Sequence, residues 1–251
     1  MPEDELTADA EPSPPATPAR DDVLDALRHG EVEVLGRMPW SSNSTLLVDV
    51  HGELDLKAVY KPRRGERPLW DVPAGLDARE AAAYELSAAL GWDVVPETVL
   101  RTADLPYGQG SLQRFVPFDP EQHYFTLVEE EPRLPVLRTI CTFDVVANSA
   151  DRKGGHCLAG DDGRIYAIDN GLTFHEELKL RTVIWEFGGT SVPEPLLDDL
   201  AGYAERGTAP ALCELLAPAE VAALNQRVEG LLRVRSFPID RTGRRFPWPL
   251  V

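Results

Sequence analysis

The chain has 251 residues, of which 43% are hydrophobic, a length and composition that suit one large domain or two closely packed lobes. Acidic residues outnumber basic ones by 42 to 25, and the formal charge of -17 disfavours nucleic acid and anionic membranes as partners. Three cysteines without paired CxxC spacing disfavour a disulfide framework and a structural zinc site, and favour a reducing compartment.

Membrane spans and export signals are not evident in the sequence. There is no run of about 18 apolar residues, and the first residues have neither the basic end nor the apolar stretch of a signal peptide. We therefore expect a cytoplasmic protein with no integral membrane association. Residues 1–20 combine acidic side chains with several prolines and predict a disordered tail.

Strands dominate the predicted first half of the chain. After a short helix near residues 22–28, alternating β-branched residues predict strands in VEVLGRM, STLLVDV and LKAVYK, with a hairpin turn at 51–53. An Ala-rich helix is predicted over 77–90, because alanines recur on one helical face and Gly91 follows where a helix would stop. The segments VVPETVL and SLQRFVPF predict two more strands.

Helices dominate the predicted second half, over residues 133–146, about 193–206 and 218–234. A strand-rich half followed by a helix-rich half indicates an α+β protein with two lobes that meet near residues 117–120. We predict a nucleotide-binding N-lobe over 21–117 and a catalytic, metal-binding C-lobe over 118–251.

Two short segments, FDVVANSADRKGGHCLA and IYAIDNGLTF, each place an aspartate beside small or glycine-rich sequence after an apolar run. These aspartates, Asp151 and Asp169, are 18 residues apart. Phosphoryl transfer needs such a pair, with one carboxylate orienting the attacking hydroxyl and the other holding Mg²⁺ against the β- and γ-phosphates of ATP. Asp151 suits the first role and Asp169 suits the second.

Two further residues follow Asp151 at the spacing of a kinase catalytic loop. Lys153, two residues later, is where such loops place a phosphate-neutralising lysine, and His156, five residues later, is where they place a second metal ligand. The sequence therefore predicts catalytic roles for Asp151 and Lys153, and metal-ligand roles for His156 and Asp169.

A candidate phosphate-binding lysine lies in the first half. Lys61 ends the predicted strand LKAVYK and precedes Pro62, so its backbone is extended and its side chain could reach the α- and β-phosphates. Upstream, Asn43 and Ser44 lie in the turn WSSNSTLL between two strands, where backbone N–H groups can hold phosphate oxygens.

The glutamate that would fix Lys61 has two candidates on the predicted helix. Glu85 falls among the alanines of the apolar face, where a charge needs a partner. Glu80 could instead form a capping box with Asp77 at the start of the helix. Physical reasoning on these residues leaves both candidates open.

The chain resembles the phosphatidylinositol 3-/4-kinase-like superfamily, and most closely the type II phosphatidylinositol 4-kinases, in a compact actinobacterial form. The resemblance covers roughly residues 36–175 and rests on six segments in the same order, SSNSTLLV, AVYKP, REAAAYELSAALGWDVVPET, GSLQRFV, NSADRKGGH and AIDNGLTF. It implies a two-lobed protein-kinase-like fold and an ATP-dependent phosphotransferase activity.

The resemblance also implies roles for individual residues. Lys61 would bind phosphate, and Glu80 would pair with it. Asp151 would be the catalytic aspartate and Asp169 a metal ligand. The segment between the lobes that holds adenine would consist of Gln113, Arg114, Phe115 and Val116.

Two departures from the family bear on the function. His156 stands where the family has asparagine, and an imidazole suits softer ions such as Mn²⁺ better than Mg²⁺. The chain also lacks the cysteine-rich, lipid-attaching insertion of type II lipid kinases, and its acidic surface disfavours docking on phosphoinositides.

The predicted function is therefore transfer of a phosphoryl group from ATP, with Mg²⁺ or Mn²⁺, to a hydroxyl of a soluble protein or small molecule. One alternative is a nucleotide-binding pseudokinase that acts as a regulatory scaffold, favoured by His156 and by a nucleotide loop without glycine. A lipid kinase and an enzyme of nucleotidyl transfer are further alternatives.

Overall fold

The computed structural model of the protein describes residues 18–38, 44–69 and 71–251. Its first half contains one antiparallel sheet, built from β1 (Glu31–Arg37), β2 (Leu46–His51), β3 (Leu56–Pro62), β4 (Thr98–Arg101) and β5 (Gly110–Arg114). The strands lie in the order β1-β2-β3-β5-β4, so β3 is the central strand. Consecutive β1, β2 and β3 form a meander, and β5 lies between β3 and β4.

Two helices lie against this sheet, α1 (Arg20–His29) and α2 (Leu76–Ala89), and both contact β4 and β5. Helix α1 buries Val23 and Leu27, while α2 buries an alanine-rich surface that lets the helix approach the sheet closely. Helix α2 also contacts a helix of the second half and therefore has buried residues on more than one face.

The second half is mainly helical. Its helices are α3 (Tyr124–Leu127), α4 (Leu134–Ala147), α5 (Glu194–Arg206), α6 (Pro210–Leu215) and α7 (Pro218–Val234). A two-stranded hairpin, β6 (Cys157–Ala159) and β7 (Ile165–Ala167), follows a short 3₁₀ turn at Gly154–His156. Helix α7 contacts both α4 and α5, and leucine and phenylalanine side chains of this half are fully buried.

The predicted α+β class, with strands first and helices second, is confirmed. Helix α7 has the predicted bounds, and α4 begins and ends one residue later than predicted. The strand predicted in VVPETVL is shorter, because the N–H groups of Val94 and Val95 donate to Ser87 Oγ and hold the segment before β4 as a loop. Helix α6 and the β6–β7 hairpin were not predicted.

The predicted tail over residues 1–20 falls mostly outside the described residues. Helix α1 begins at Arg20, so the last residue of that range is helical instead. In the ranges that the structure covers, we find no helix with the length and apolar character needed to cross a membrane.

The last residues of the chain pack against the loop after α4 and against the segment that follows β7. The backbone N–H of Gly154 donates to the carbonyl oxygen of Leu250 at 2.7 Å, and that of Thr182 donates to the carbonyl oxygen of Arg245 at 3.1 Å. A Cβ at Gly154 would lie 2.9 Å from the Phe125 ring and 3.3 Å from the carbonyl oxygen of Leu250, so a side chain there would be crowded from both sides. Glycine thus allows this close approach of the chain end.

Candidate active site

The ammonium group of Lys61 lies between two carboxylates. Lys61 is near the end of β3, and its Nζ contacts Glu80 Oε1 on α2 and lies 2.7 Å from Asp169 Oδ1. Burial alone would lower the pKa of Lys61, but Asp169 and Glu80 raise it above its ordinary value. The lysine therefore carries its charge throughout the physiological pH range.

The partner of Lys61 on helix α2 is Glu80 and not Glu85. Glu80 is buried, and its second oxygen, Oε2, accepts a hydrogen bond from the backbone N–H of Asn170 at 3.0 Å. A Cβ at Gly171 would lie only 3.3 Å from Glu80 Oε1, so the glycine permits this approach. Glu85 is partly buried, and it forms no hydrogen bond or ion pair within the described residues.

Asp169 has a carboxylate that is both ionised and exposed to solvent. Its backbone has φ +57°, in the left-handed region that aspartate tolerates better than most residues. The Lys61 ammonium lowers the pKa of Asp169 well below its ordinary value, although burial acts in the opposite direction. Its side chain is nevertheless 52% exposed. The carboxylate is therefore charged and accessible to a cation.

His156 lies beside Asp169, with Nε2 3.4 Å from Asp169 Oδ2. Burial lowers the pKa of His156 to about 4, so the ring is neutral at pH 7. Its Nδ1 is 2.9 Å from the carbonyl oxygen of Asp151 and 3.4 Å from the backbone nitrogen of Lys153. The shorter contact requires a proton on Nδ1, because a carbonyl oxygen can only accept, and this leaves a lone pair on Nε2.

Asp151 and Lys153 form a second charged pair in this region. Lys153 Nζ lies 3.2 Å from Asp151 Oδ2, and both side chains are about three-quarters buried. Burial raises the pKa of Asp151, and Lys153 opposes that shift. A carboxylate with a raised pKa is a better proton acceptor than an ordinary aspartate, which suits a general base.

The sequence did not predict the residue that joins these segments, Arg152. Its guanidinium is fully buried and pairs with Asp144 of α4, with Nε 3.0 Å from Oδ1. It also donates to the carbonyl oxygen of Ile168 and to Asn170 Oδ1, both at 2.6 Å. One side chain thus connects α4, the segment of Asp151 and the segment of Asp169. The available signal was Asp144, an acid within the apolar helix α4 that requires a buried partner.

The end of α4 is fixed by Asn148, a second residue that the sequence analysis did not select. Asn148 has φ +57° and ends the helix in the left-handed conformation. Its Nδ2 donates to the carbonyl oxygens of His175 and Glu177 at 2.9 and 2.7 Å. The loop that leads to Asp151 is therefore tied to the segment that follows Asp169.

The predicted adenine segment lies at the end of β5 and beyond. Gln113 donates to Thr98 Oγ1 at 2.8 Å, and Arg114 pairs with Glu97 at 2.5 Å, so both side chains support the sheet. The N–H of Phe115 donates to the carbonyl oxygen of Lys57 at 2.8 Å, while Val116 is buried against the β6–β7 hairpin.

The two residues of the predicted phosphate turn have different outcomes. Asn43 lies outside the described residues. The backbone nitrogen of Ser44 is 3.5 Å from the carbonyl oxygen of Gly65, at the end of the short 3₁₀ turn that follows β3.

Ion pairs and close contacts bring six of the predicted site residues together in one region, namely Lys61, Glu80, Asp151, Lys153, His156 and Asp169.

His156 Nε2 and Asp169 Oδ2 fit a divalent ion that arrives with a nucleotide. Within the described residues, no group of three or more His, Cys, Asp or Glu side chains is placed to hold a metal. However, Mg²⁺ in phosphotransferases is typically bound by one or two carboxylates, and substrate phosphates and waters complete the shell. The Asp169 carboxylate meets that requirement, and the neutral imidazole of His156 beside it adds a nitrogen ligand that suits Mn²⁺ better than Mg²⁺.

Comparisons with known proteins bear on the family and the fold of the chain. No family model matches the sequence. The protein Rv2133c of Mycobacterium tuberculosis is 39% identical over 268 residues, covering 92% of this chain and 96% of the relative. The Golgi casein kinase with Mn/ADP bound has a TM-score of 0.60 at 16% identity, covering 92% of this chain and 80% of the other. Hydra Fam20 with sugar has a TM-score of 0.57 at 14% identity, covering 86% and 88%. The chain therefore has a kinase-like fold.

Proposed function

Since the chain belongs to the family of the protein Rv2133c of Mycobacterium tuberculosis and has a kinase-like fold, we propose that it is an ATP-dependent kinase. The acceptor is a hydroxyl of a soluble protein or small molecule. One observation carries this proposal, the contact of Lys61 Nζ with both Glu80 and Asp169. This arrangement presents a permanent positive charge beside a metal-binding carboxylate, which is what a bound triphosphate requires.

The sheet half, residues 21–117, would serve as the nucleotide-binding N-lobe. Lys61 would contact the α- and β-phosphates, with Glu80 holding its ammonium in place. The turn at Asn43 and Ser44 would add backbone N–H groups to the phosphates. The segment that begins at Gln113 and continues through Arg114, Phe115 and Val116 would contact adenine.

The helical half, residues 118–251, would serve as the catalytic C-lobe. His156 and Asp169 would hold Mg²⁺ or Mn²⁺. When bound, the ion would neutralise negative charge on the β- and γ-phosphates. Manganese is supported by the imidazole ligand and by the Mn/ADP found in the Golgi casein kinase. Asp151 would orient the acceptor hydroxyl and accept its proton, and Lys153 would stabilise the transferred group.

The order of the six sequence segments supports a place for the chain in the phosphatidylinositol 3-/4-kinase-like superfamily. The Golgi casein kinase and Fam20 share the fold at under 25% identity, so they leave that finer assignment as our proposal. The formal charge of -17 favours a soluble acceptor over a lipid.

The test uses the purified full chain, ATP labelled at the γ-phosphate, and either Mg²⁺ or Mn²⁺. The acceptors are a protein lysate, polyols and phosphatidylinositol vesicles. We expect label on a lysate protein or a polyol, and loss of that label in Lys61→Met. Lys57→Met is the matched control, because Lys57 lies on the same strand but pairs with Asp49 at the surface.

Other outcomes of the same test would contradict the proposal. Absence of labelling with either metal, combined with thermal stabilisation by ATP, would indicate a nucleotide-binding scaffold. Label retained from the α-phosphate would indicate nucleotidyl transfer, and label in the vesicles alone would indicate a lipid kinase.

A further inference from the structure

A cavity of about 470 Å³ lies in the helical half, between the end of α7 and residues 236–245. The cavity is separate from the candidate active site, because none of the residues that line it is a member of the set Lys61, Glu80, Asp151, Lys153, His156 and Asp169. Its volume is within the range of roughly 300–1,000 Å³ that is usual for small-molecule sites. The cavity is therefore large enough for an organic ligand.

Apolar side chains form most of the cavity surface. Leu231 and Phe237 are buried at its wall, while Leu178, Val234 and Ile239 are 61%, 65% and 54% exposed. Three large apolar side chains with this exposure around one cavity form a patch that gains free energy when an apolar ligand covers it.

Three arginines, Arg227, Arg241 and Arg245, also line the cavity. None of the described residues that line it is acidic, although the whole chain has a formal charge of -17. Arg241 forms no hydrogen bond or ion pair with any residue that the structure describes. The cavity thus combines an apolar wall with a local positive charge that is available to an anion.

Arg227 has a donor that lacks an acceptor. Its Nε donates to the carbonyl oxygen of Val146 at 2.7 Å, and Nη1 donates to that of His175 at 3.3 Å. Nη2 is buried and has no hydrogen-bond partner among the described residues. Burial lowers the pKa of Arg227 to about 10, so the group is still charged at pH 7. Arg227 lines the cavity, so its charge adds to the positive potential there, and its guanidinium is not fully paired by acceptors of the described residues.

We propose that this cavity binds a soluble amphipathic anion, with a carboxylate or phosphate head on an aliphatic or aromatic body. The head lies among Arg227, Arg241 and Arg245, and the body covers Leu178, Val234 and Ile239. This site does not depend on the proposed kinase activity.

The test measures binding of dodecanoate to the full chain by isothermal titration calorimetry, at concentrations where dodecanoate is monomeric. The comparison ligand is dodecyltrimethylammonium, which has an apolar chain only one carbon longer and the opposite charge. We expect dodecanoate to bind at least tenfold more tightly, and Arg241→Ala to weaken it about tenfold, because a partly desolvated charge pair is lost. Arg233→Ala is the matched control, since Arg233 is an exposed arginine on the same helix that does not line the cavity.

A second variant tests the location without removing charge. Gly230 lines the cavity, and a Cβ there would meet no atom within 4 Å. Gly230→Phe should fill the cavity and abolish binding, while the loss of a helix glycine favours the fold. Equal binding of the two ligands, or full binding by Gly230→Phe, would overturn the proposal. Binding to anionic vesicles without binding of monomeric dodecanoate would overturn it as well, in favour of a membrane surface.

Discussion

Glu80 Oε2 accepts a hydrogen bond at 3.0 Å from the backbone N–H of Asn170, while the other oxygen of the same carboxylate contacts Lys61. One buried side chain on α2 is therefore bonded both to the central strand of the sheet and to the segment that carries Asp169. A shift of α2 would disturb the lysine and the Asp169 segment together, so the two halves of the proposed site depend on the same helix.

Replacing Glu80 with glutamine tests this link. The amide keeps the shape of the side chain and can still accept from Asn170, but it lacks the charge that holds Lys61. We expect kcat/KM for ATP to fall by roughly 10²-fold, as when a catalytic group is misplaced. Glu85→Gln on the same helix is the control and should retain wild-type kinetics. Equal losses in the two variants would mean that the pairing with Lys61 has no catalytic importance.

The two aspartates should respond differently to substitution. Asp169→Asn should weaken metal-dependent nucleotide binding together with turnover, because the proposed metal ligand loses its charge. Asp151→Asn should leave nucleotide affinity unchanged and lower kcat by about 10²–10⁴-fold, the usual effect of removing a positioned acid or base. Calorimetric titration with nucleotide and steady-state kinetics separate the two effects. Full activity in Asp169→Asn would refute its assignment as a metal ligand.

The ion pair of Arg152 and Asp144 should make a large contribution to the free energy of unfolding. Arg152→Met leaves the Asp144 carboxylate buried without its cation, so we expect the free energy of unfolding to fall by about 3–5 kcal/mol. The double variant Arg152→Met, Asp144→Leu removes both charges and should recover part of that loss. Chemical denaturation measures each variant. A double variant that is less stable than Arg152→Met would show that Asp144 has another role.

His156 should make stability depend on pH. Its pKa is about 4 in the folded protein against the ordinary 6.5, so between these values only the unfolded chain binds the proton. Stability therefore falls as the pH is lowered through this window, and at pH 5 the histidine should contribute a loss of about 2 kcal/mol relative to pH 7. The difference between wild type and His156→Asn, measured in a chelating buffer at several pH values, isolates this contribution. Parallel curves for the two proteins would contradict it.

The sequence predicted best what depends on local pattern. Helix α7 begins with Pro218 at its first position and ends before Arg235 in the left-handed conformation, and both bounds were predicted. The order of Lys61, Asp151 and Asp169 in the chain was sufficient to propose that they act together. The bounds of α7 were set by a few consecutive residues. The grouping of the three charged residues followed from what phosphoryl transfer requires.

Tertiary packing decided what the sequence left open. Periodicity favoured Glu85 over Glu80, because Glu85 falls on the alanine face of α2. However, α2 is buried against both the sheet and a helix of the second half, so residues outside the alanine face, including Glu80, are buried as well. The pairing of Arg152 with Asp144 was not visible, because it depends on the turn that Asn148 introduces after α4. The pattern of residues along the chain does not show how the chain turns at Asn148.

The hydrogen bond from Gly154 to Leu250 also has a practical consequence for handling the protein. Gly154 is the residue next to Lys153, so an affinity tag joined to Val251 would start beside the proposed catalytic loop. Such an extension could obstruct an acceptor and lower the apparent turnover without altering ATP binding. A tag at the other end of the chain avoids this contact, and it is the better choice for measuring activity.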